Sequence, residues 1–304
     1  MRYSYYPGCS SSEGTAVAYG LSTQAICSPL GMELIELEDW NCCGSVPYSS
    51  TDELESVCIA TRNLALAEKT GLDLVTPCSS CYTTLNIANS RLRQYPELKS
   101  KVDEVLADAG LKYKGTVRVR HLFEVIYNDI GLEFIESRVV NPLKGLRVAP
   151  YYGCQMVRTE PGFDNPHNPQ SLERFIVSLG AEPTPFLLKD RCCGGSLVIP
   201  EVDIALGLLH KLLESAASNH AQCLVTVCPL CQTNLDAYQK MVDVKFGTRY
   251  NLPCLFFTQL LGLALGVEPK ALALDKNIIS AKRVLEPFTR VAEPTAQRGG
   301  KIYG

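Results

Sequence analysis

Ten of the fourteen cysteines in this chain of 304 residues stand in an order that chemistry can use. The first half carries Cys9, then Cys42-Cys43-Gly44, then Cys78-Ser79-Ser80-Cys81. The second half carries Cys154, then Cys192-Cys193-Gly194, then Cys228-Pro229-Leu230-Cys231. Thiolates serve as nucleophiles, redox groups and soft metal ligands, and the adjacent pairs discriminate among these uses. Neighbouring Cα atoms lie about 3.8 Å apart, below the roughly 4.4–6.8 Å that disulfides span. A bridge inside either doublet would be strained, so each doublet reads as two thiolates offered to metal. Structural zinc takes four ligands, and an ordinary [4Fe–4S] or [2Fe–2S] cluster takes four cysteines. Five per half exceeds both, unless one cysteine is idle or bridges two irons. The pattern reads as an iron–sulfur site of unusual nuclearity or geometry, present twice.

The elements that must position these cysteines are repeated too. Each doublet lies 35 positions before its Cys-x-x-Cys, and both features are displaced by 150 residues between halves. Tyr5-Tyr6-Pro7-Gly8-Cys9 echoes Tyr151-Tyr152-Gly153-Cys154, and Thr83-Thr84-Leu85-Asn86 parallels Thr233-Asn234-Leu235-Asp236. The first cysteines are displaced by only 145. The second half therefore gains five residues, expected in the Pro-rich stretch 161–169. This is an internal duplication.

Short buried strands are expected at 2–6, 72–76, 146–152 and 223–227, each ending at a cysteine. Helical patterns cover 15–27, 52–69, 83–93, 171–179, 202–219 and 230–241. Strands alternating with helices imply an α/β fold with mostly parallel sheets. The cysteines then fall in loops at strand ends, where open α/β sheets hold their ligands. Gly44 and Gly194 permit positive φ and a close backbone approach. The Cys-x-x-Cys pairs are expected at helix N-termini, whose N–H groups favour thiolate. The boundary near Asn141-Pro142-Leu143-Lys144-Gly145 divides the chain into domains 1–144 and 145–286. Residues 287–304 lack apolar periodicity and read as a tail, loose or partner-bound.

Composition narrows the function class. The chain is 46% hydrophobic and 20% charged with a formal charge of -3, and no segment concentrates basic residues. A nucleic-acid footprint is therefore not expected. The N-terminus lacks an apolar run of signal-peptide length. The most apolar stretch, Leu255 to Val267, is interrupted by Thr258 and Gln259 and falls short of the roughly 20 residues that cross a bilayer. The expectation is a cytoplasmic protein without membrane insertion, where thiols stay reduced and metal or redox chemistry explains cysteine richness. The sequence has neither a Gly-x-Gly-x-x-Gly nucleotide fingerprint nor a ferredoxin-type cysteine run, so electrons are expected from another polypeptide.

Residues outside the repeat receive plainer readings. Cys27, Cys58, Cys223 and Cys254 read as small buried hydrophobes. His121, His210 and His220 read as capping, core or surface residues. His167, in the inserted loop, is the one histidine weighed as a proton donor, against an ordinary loop role. Arg158, Lys189 and Arg191 neighbour second-half cysteines, either to hold an anionic substrate tail or as solvated or ion-paired charges. Trp40 is expected to pack near the first doublet.

The doubled C…CCG…CxxC pattern resembles the cysteine-rich CCG family, and within it the B-subunit family of heterodisulfide reductases. The Pro7-Gly8-Cys9 start, the His121-Leu122-Phe123-Glu124-Val125 helix opening and the loop from Gly162 to Pro169 share the resemblance, which extends to residue 287. It implies two homologous Rossmann-like CCG domains related by a pseudo-two-fold axis, and two noncubane [4Fe–4S] clusters. Cys9, Cys42, Cys43, Cys78 and Cys81 would hold one, and Cys154, Cys192, Cys193, Cys228 and Cys231 the other. It further implies a catalytic subunit that reduces the mixed disulfide of coenzyme M and coenzyme B between the clusters, as in methanogenesis. Its partners in a heterodisulfide reductase complex would be a ferredoxin-like iron–sulfur subunit and a flavin subunit, with a hydrogenase or formate dehydrogenase in larger assemblies. Two alternatives stand beside this: an electron-transfer iron–sulfur subunit of a lactate, glycolate, succinate or fumarate oxidoreductase, and a zinc-binding structural or redox-sensing protein.

Overall fold

Parallel strands are buried on both faces, and the runs best suited to that, Leu74–Thr76 and Cys223–Thr226, are buried throughout. In the computed structural model, which describes residues 1–45, 47–159 and 162–289, they lie inside two four-stranded parallel sheets. The first sheet contains β1 (Arg2–Tyr5), β2 (Glu33–Glu36), β3 (Leu74–Thr76) and β4 (Val119–His121), in the order β2-β1-β3-β4. The second contains β5 (Arg147–Tyr151), β6 (Glu182–Pro183), β7 (Cys223–Thr226) and β8 (Cys254–Phe256), in the order β6-β5-β7-β8. The identical order is the duplication seen in three dimensions. Each sheet reverses direction of winding between β1 and β3, or β5 and β7, and that switch point opens a crevice at the carboxyl ends of the strands.

Helices fill the connections. In the first half, α1 (Cys9–Ser12) and α2 (Val17–Cys27) follow β1, and α3 (Pro47–Thr51) and α4 (Glu53–Glu68) follow β2. There, α5 (Ser79–Gln94) and α6 (Pro96–Asp108) follow β3, and α7 (Leu122–Val125) runs through a wide π turn (Ile126–Gly131) into α8 (Leu132–Arg138). In the second half, α9 (Gly153–Arg158) and α10 (Ser171–Ser178) follow β5, and a 3-10 turn (Gly195–Val198) leads into α11 (Val202–Ser218). Then α12 (Pro229–Ala237) and α13 (Gln239–Phe246) follow β7, α14 (Phe257–Ala264) follows β8, and α15 (Lys282–Thr289) comes last. Residues 160 and 161, at the start of the expected insertion, and 290–304 of the expected tail lie outside the described residues.

The expected strands and helices form with small shifts. The single helix expected at 230–241 is two, divided at Tyr238. There Gln239 turns inward, donating to the Leu252 carbonyl at 2.6 Å and accepting from its N–H at 3.0 Å. The apolar stretch from Leu255 supplies β8 and α14, and no described helix is long and apolar enough to cross a membrane.

Apolar side chains gather in three clusters. One lies within each half, and the largest joins residues of both, such as Val75, Phe123, Phe175 and Phe257. Phe123 meets Phe175 and Phe257 edge to face at 5.4 and 5.1 Å between centroids. Polar pairs cross the same interface reciprocally: Thr15 with Thr233 at 3.0 Å, and Thr83 with Thr159 at 2.6 Å. Thr83 and Thr233 are equivalent in the repeat, while Thr15 and Thr159 each follow their half's first cysteine. So α1 packs on α12 as α9 packs on α5, the exchange of contacts that a pseudo-two-fold relation requires.

Candidate metal centre

Every cysteine of the repeat lies just beyond a strand's carboxyl end. Cys9 and Cys154 open the turns after β1 and β5, the doublets follow β2 and β6, and Cys78 and Cys228 are the N-cap residues of α5 and α12. The turn to the first cysteine must pass against the Cys-x-x-Cys. Gly8 (φ 71) and Gly153 (φ 70) make that possible, since a Cβ there would lie 3.0 Å from Cys81 Sγ and 2.9 Å from Cys231 Sγ. After the doublets, Gly44 and Gly194 take φ 77 and 92, as expected from their type.

A tyrosine holds each doublet loop. The hydroxyl of Tyr6 donates to the Asn41 carbonyl at 2.6 Å, and that of Tyr151 to the Arg191 carbonyl at 2.7 Å. Each acceptor immediately precedes a doublet. The remaining ties differ between halves. Asn63 accepts from the Asn41 N–H and donates to its carbonyl, both at 3.0 Å. In the second half Asn234 donates to the Gly195 carbonyl at 2.9 Å and reaches Cys193 Sγ at 3.7 Å.

The five thiols of each half come together. Cys42 meets Cys9 and Cys43, and Cys81 meets Cys43 and Cys78. In the second half Cys154 meets Cys192, Cys193 Sγ lies 3.5 Å from Cys231 Sγ, and Cys231 meets Cys228. Across the interface, the thiols of Cys78 and Cys228 face each other. Each set lines its own cavity, of about 200 Å³ in the first half and about 250 Å³ in the second. Ser80, Ser196 and Leu230 line both cavities, so the two adjoin. Among the described residues no charged side chain lines either one.

The electrostatics follow from that confinement. Hydrogen bonds from the Cys42 and Cys81 thiols hold Cys43 down to about 4. The Cys154 thiol above all, helped by the Arg158 charge, holds Cys192 at about 6. Cys231 and Cys78 push Cys228 well below the ordinary thiol range. Their partners move the other way: Cys9, Cys78, Cys81, Cys154 and Cys231 are all raised, each chiefly by a neighbouring sulfur. Thiols this close ionise at one another's expense, and all five become thiolates together only if a cationic group enters the cavity. Among the described residues no three His, Cys, Asp or Glu converge on one point as a single bound ion demands. The sulfurs ring a cavity instead, which fits a polynuclear group better than a lone ion.

Other residues singled out from the sequence lie elsewhere. His167 is exposed in the loop after residue 162 and lines neither cavity; the loop is organised by Asp164 and Asn165, which accept the backbone N–H groups of residues 165, 167, 168, 170 and 171. Lys189 is ion-paired with Glu173 at 2.5 Å, and Arg191 lies 3.7 Å from Asp190. Trp40 meets Tyr6 edge to face at 5.4 Å, beside the first doublet. His210 stacks on Phe246 at 4.1 Å. Cys223 and Cys254 are fully buried strand residues, and Cys27 and Cys58 are partly buried in helices, all four outside the cavities.

His121 is the capping and core residue expected, but its place beside the Cys-x-x-Cys turns carried no sequence signal. It is fully buried at the end of β4, caps α7 by accepting from the Phe123 N–H at 3.1 Å, and lies 3.4 Å from Ser79 Oγ. Burial pushes its imidazole down to about 4. The roles of Tyr6 and Tyr151 carried a signal, their recurrence before the first cysteine, but their acceptors are 35 and 40 residues away.

Comparison with known proteins gives a consistent picture. The cysteine-rich domain family CCG matches the chain twice, over residues 3–86 and 148–236. The chain is 36% identical over 284 residues to the 8-methylmenaquinol:fumarate reductase membrane anchor subunit of Wolinella succinogenes, covering 93% of this chain and 98% of that one. It is 33% identical to the B subunit of the ferredoxin/F(420)H(2)-dependent CoB-CoM heterodisulfide reductase of Methanosarcina acetivorans, covering 85% and 87%. It is 32% identical to a protein of Archaeoglobus profundus described as like the heterodisulfide reductase B subunit, covering 90% and 93%. A similar fold occurs in the crystal structure of a hypothetical protein from Helicobacter pylori, with a TM-score of 0.74 at 16% identity. That match covers 92% of this chain and 52% of the other, so the present chain spans about half of its length.

Proposed function

The chain belongs to the cysteine-rich CCG family, and from that membership we propose that it is an oxidoreductase subunit which holds two iron–sulfur clusters and reduces a disulfide between them. The observation that carries this reading is the shared wall: two five-cysteine cavities adjoin at Ser80, Ser196 and Leu230, with Cys78 against Cys228. The sulfurs of a disulfide are about 2.05 Å apart, so one bound at that wall addresses both cavities together. Cys9, Cys42, Cys43, Cys78 and Cys81 would hold one cluster, and Cys154, Cys192, Cys193, Cys228 and Cys231 the other, each of the noncubane [4Fe–4S] type. Bound there, clusters supply electrons singly, and cleavage of one disulfide to two thiols consumes two electrons and two protons.

The chain's own residues do the holding. Tyr6 and Tyr151 fix the doublets, Gly8 and Gly153 let the first cysteines close on the Cys-x-x-Cys pairs, and Tyr152, Leu197 and Leu230 give the second cavity apolar walls. Arg158, exposed beside Cys192, and Arg191, exposed and 3.7 Å from Asp190, are cations available to an anionic substrate tail, whereas Lys189 is committed to Glu173. The name of the Methanosarcina relative supports the mixed disulfide of coenzyme M and coenzyme B as substrate, and that of the Archaeoglobus relative supports a heterodisulfide reductase. A ferredoxin-like iron–sulfur subunit and a flavin subunit are the corresponding electron donors.

A second reading is favoured by the Wolinella relative, which matches this chain over nearly its whole length: an electron relay in a fumarate-type oxidoreductase, without a disulfide substrate. Spectra of the anaerobically purified protein, taken before and after adding the coenzyme M–coenzyme B disulfide and simpler disulfides, separate the two. A change in the cluster signal with a disulfide supports catalysis. Intact clusters indifferent to every disulfide support the relay.

A further inference from the structure

The two Cys-x-x-Cys turns meet at the centre of the molecule, and the residue between them is not itself a cysteine. Pro77 and Val227 immediately precede Cys78 and Cys228, and both of their carbonyls lie against the imidazole of His121. Nδ1 of that ring accepts from the Phe123 N–H at 3.1 Å, so its single proton sits on Nε2. Nε2 thus faces the two carbonyls and Ser79 Oγ, 3.4 Å away. The ring is fully buried and fixed edge to face on Tyr82 at 5.8 Å. The Val227 carbonyl also accepts from the hydroxyl of Tyr19 at 3.2 Å. Two first-half residues therefore reach across the interface to the turn that carries Cys228.

The repeat does not return this contact. Thr76 pairs in register with His121, and its equivalent Thr226 pairs with Phe256. At the place where the first half has an imidazole, the second half has a phenyl ring, stacked on Tyr19 at 4.2 Å. Buried carbonyls need donors, and here one imidazole is set against the backbone of both turns, beside the Tyr19 hydroxyl on Val227. We propose that His121 is a positioning residue that ties the two Cys-x-x-Cys turns to each other, so that the first half sets the register of both cysteine sites. It acts through the backbone of the cysteines and needs no contact with substrate.

The test uses three variants and two readouts. His121→Phe installs the residue found at the equivalent place, His121→Asn keeps a donor that falls short of the Nε2 position, and His121→Gln puts a donor near it. In the metal-free protein a short bis-alkylating reagent such as dibromobimane, mapped by mass spectrometry, reports which sulfurs lie close. The wild type and H121Q are expected to give the Cys78–Cys228 cross-link. H121F and H121N are expected to lose it while keeping those within each Cys-x-x-Cys. In the cluster-loaded protein, a readout that rests on the function proposed above, H121F and H121N are expected to move both midpoint potentials in the negative direction in EPR-monitored titrations. The cause is the loss of the imidazole from the two carbonyl dipoles beside anionic clusters, which leaves Val227 with the Tyr19 hydroxyl alone; H121Q should restore the wild-type values. A wild-type cross-link in H121F or H121N, or a loss in H121Q equal to that in H121F, overturns the proposal. Should H121F fail to fold, H121N against H121Q decides alone. A protein without clusters but with the expected cross-links would reject the proposed function and retain this inference.

Discussion

Tyr6, just past β1, and Tyr151, at the end of β5, each place one hydroxyl on the carbonyl ahead of a doublet, from the ends of inner strands. Tyr6→Phe or Tyr151→Phe is expected to cost about 0.5–1.5 kcal/mol in thermal unfolding. Each is also expected to reduce cluster retention at its own half, read as iron per chain after identical reconstitution. Gly153→Ala acts more severely, because its Cβ would meet Cys231 Sγ at 2.9 Å and the backbone sits at φ 70. A left-handed non-glycine residue costs about 1–2 kcal/mol before any clash. The variant should fold yet bind less iron than the wild type, and wild-type iron in Gly153→Ala would remove the close approach from the argument. The ten cysteines were legible because spacing is a property of sequence. The tyrosine acceptors and the His121 carbonyls were not, because those partners are brought together only by the winding of the sheets and by the contact between halves.

The π turn after α7 shows how an element does local work. It presents Asp129 to Arg120, whose guanidinium donates to both carboxylate oxygens at 2.5 and 2.8 Å, while the Tyr3 hydroxyl donates at 2.7 Å. These bonds, from Arg120 first, hold the Asp129 carboxyl below its ordinary value against the opposing effect of burial. A carboxyl lowered in the folded state contributes stability above its unfolded pKa of about 3.9, and that contribution is lost as pH falls through the folded value. Asp129→Asn should therefore lower the urea midpoint at neutral pH, by about 1–3 kcal/mol in stability. The gap to the wild type should close below about pH 4. A gap independent of pH would show that shape rather than charge holds this turn. The helices α4, α10 and α11 were legible from apolar periodicity. The two-residue β6 and the break at Tyr238 were not, since one is too short to carry a period and the other depends on Gln239 reaching Leu252.

The molecule as a whole is tied together by the apolar cluster that both halves build, so neither sheet has a complete core without the other. Phe123→Ala, at the centre of four aromatic contacts with Tyr127, Phe163, Phe175 and Phe257, should cost about 3–5 kcal/mol. Backbone and tertiary signals should still melt in one transition; two separated transitions would mean that the halves fold independently. The duplication itself was legible at this level from a constant displacement of 150 residues. The facing of the two cavities was implied only by the resemblance, because no spacing encodes which surfaces of two domains meet. The claim on which the function rests is that each five-cysteine cavity holds a cluster. It is tested most directly by iron, zinc and acid-labile sulfide analysis of protein purified without oxygen. Two [4Fe–4S] clusters give about eight irons and eight sulfides per chain, falling toward half when the cysteines of one cavity are replaced by serine. Zinc without sulfide, or iron that does not halve when one cavity is removed, would contradict it.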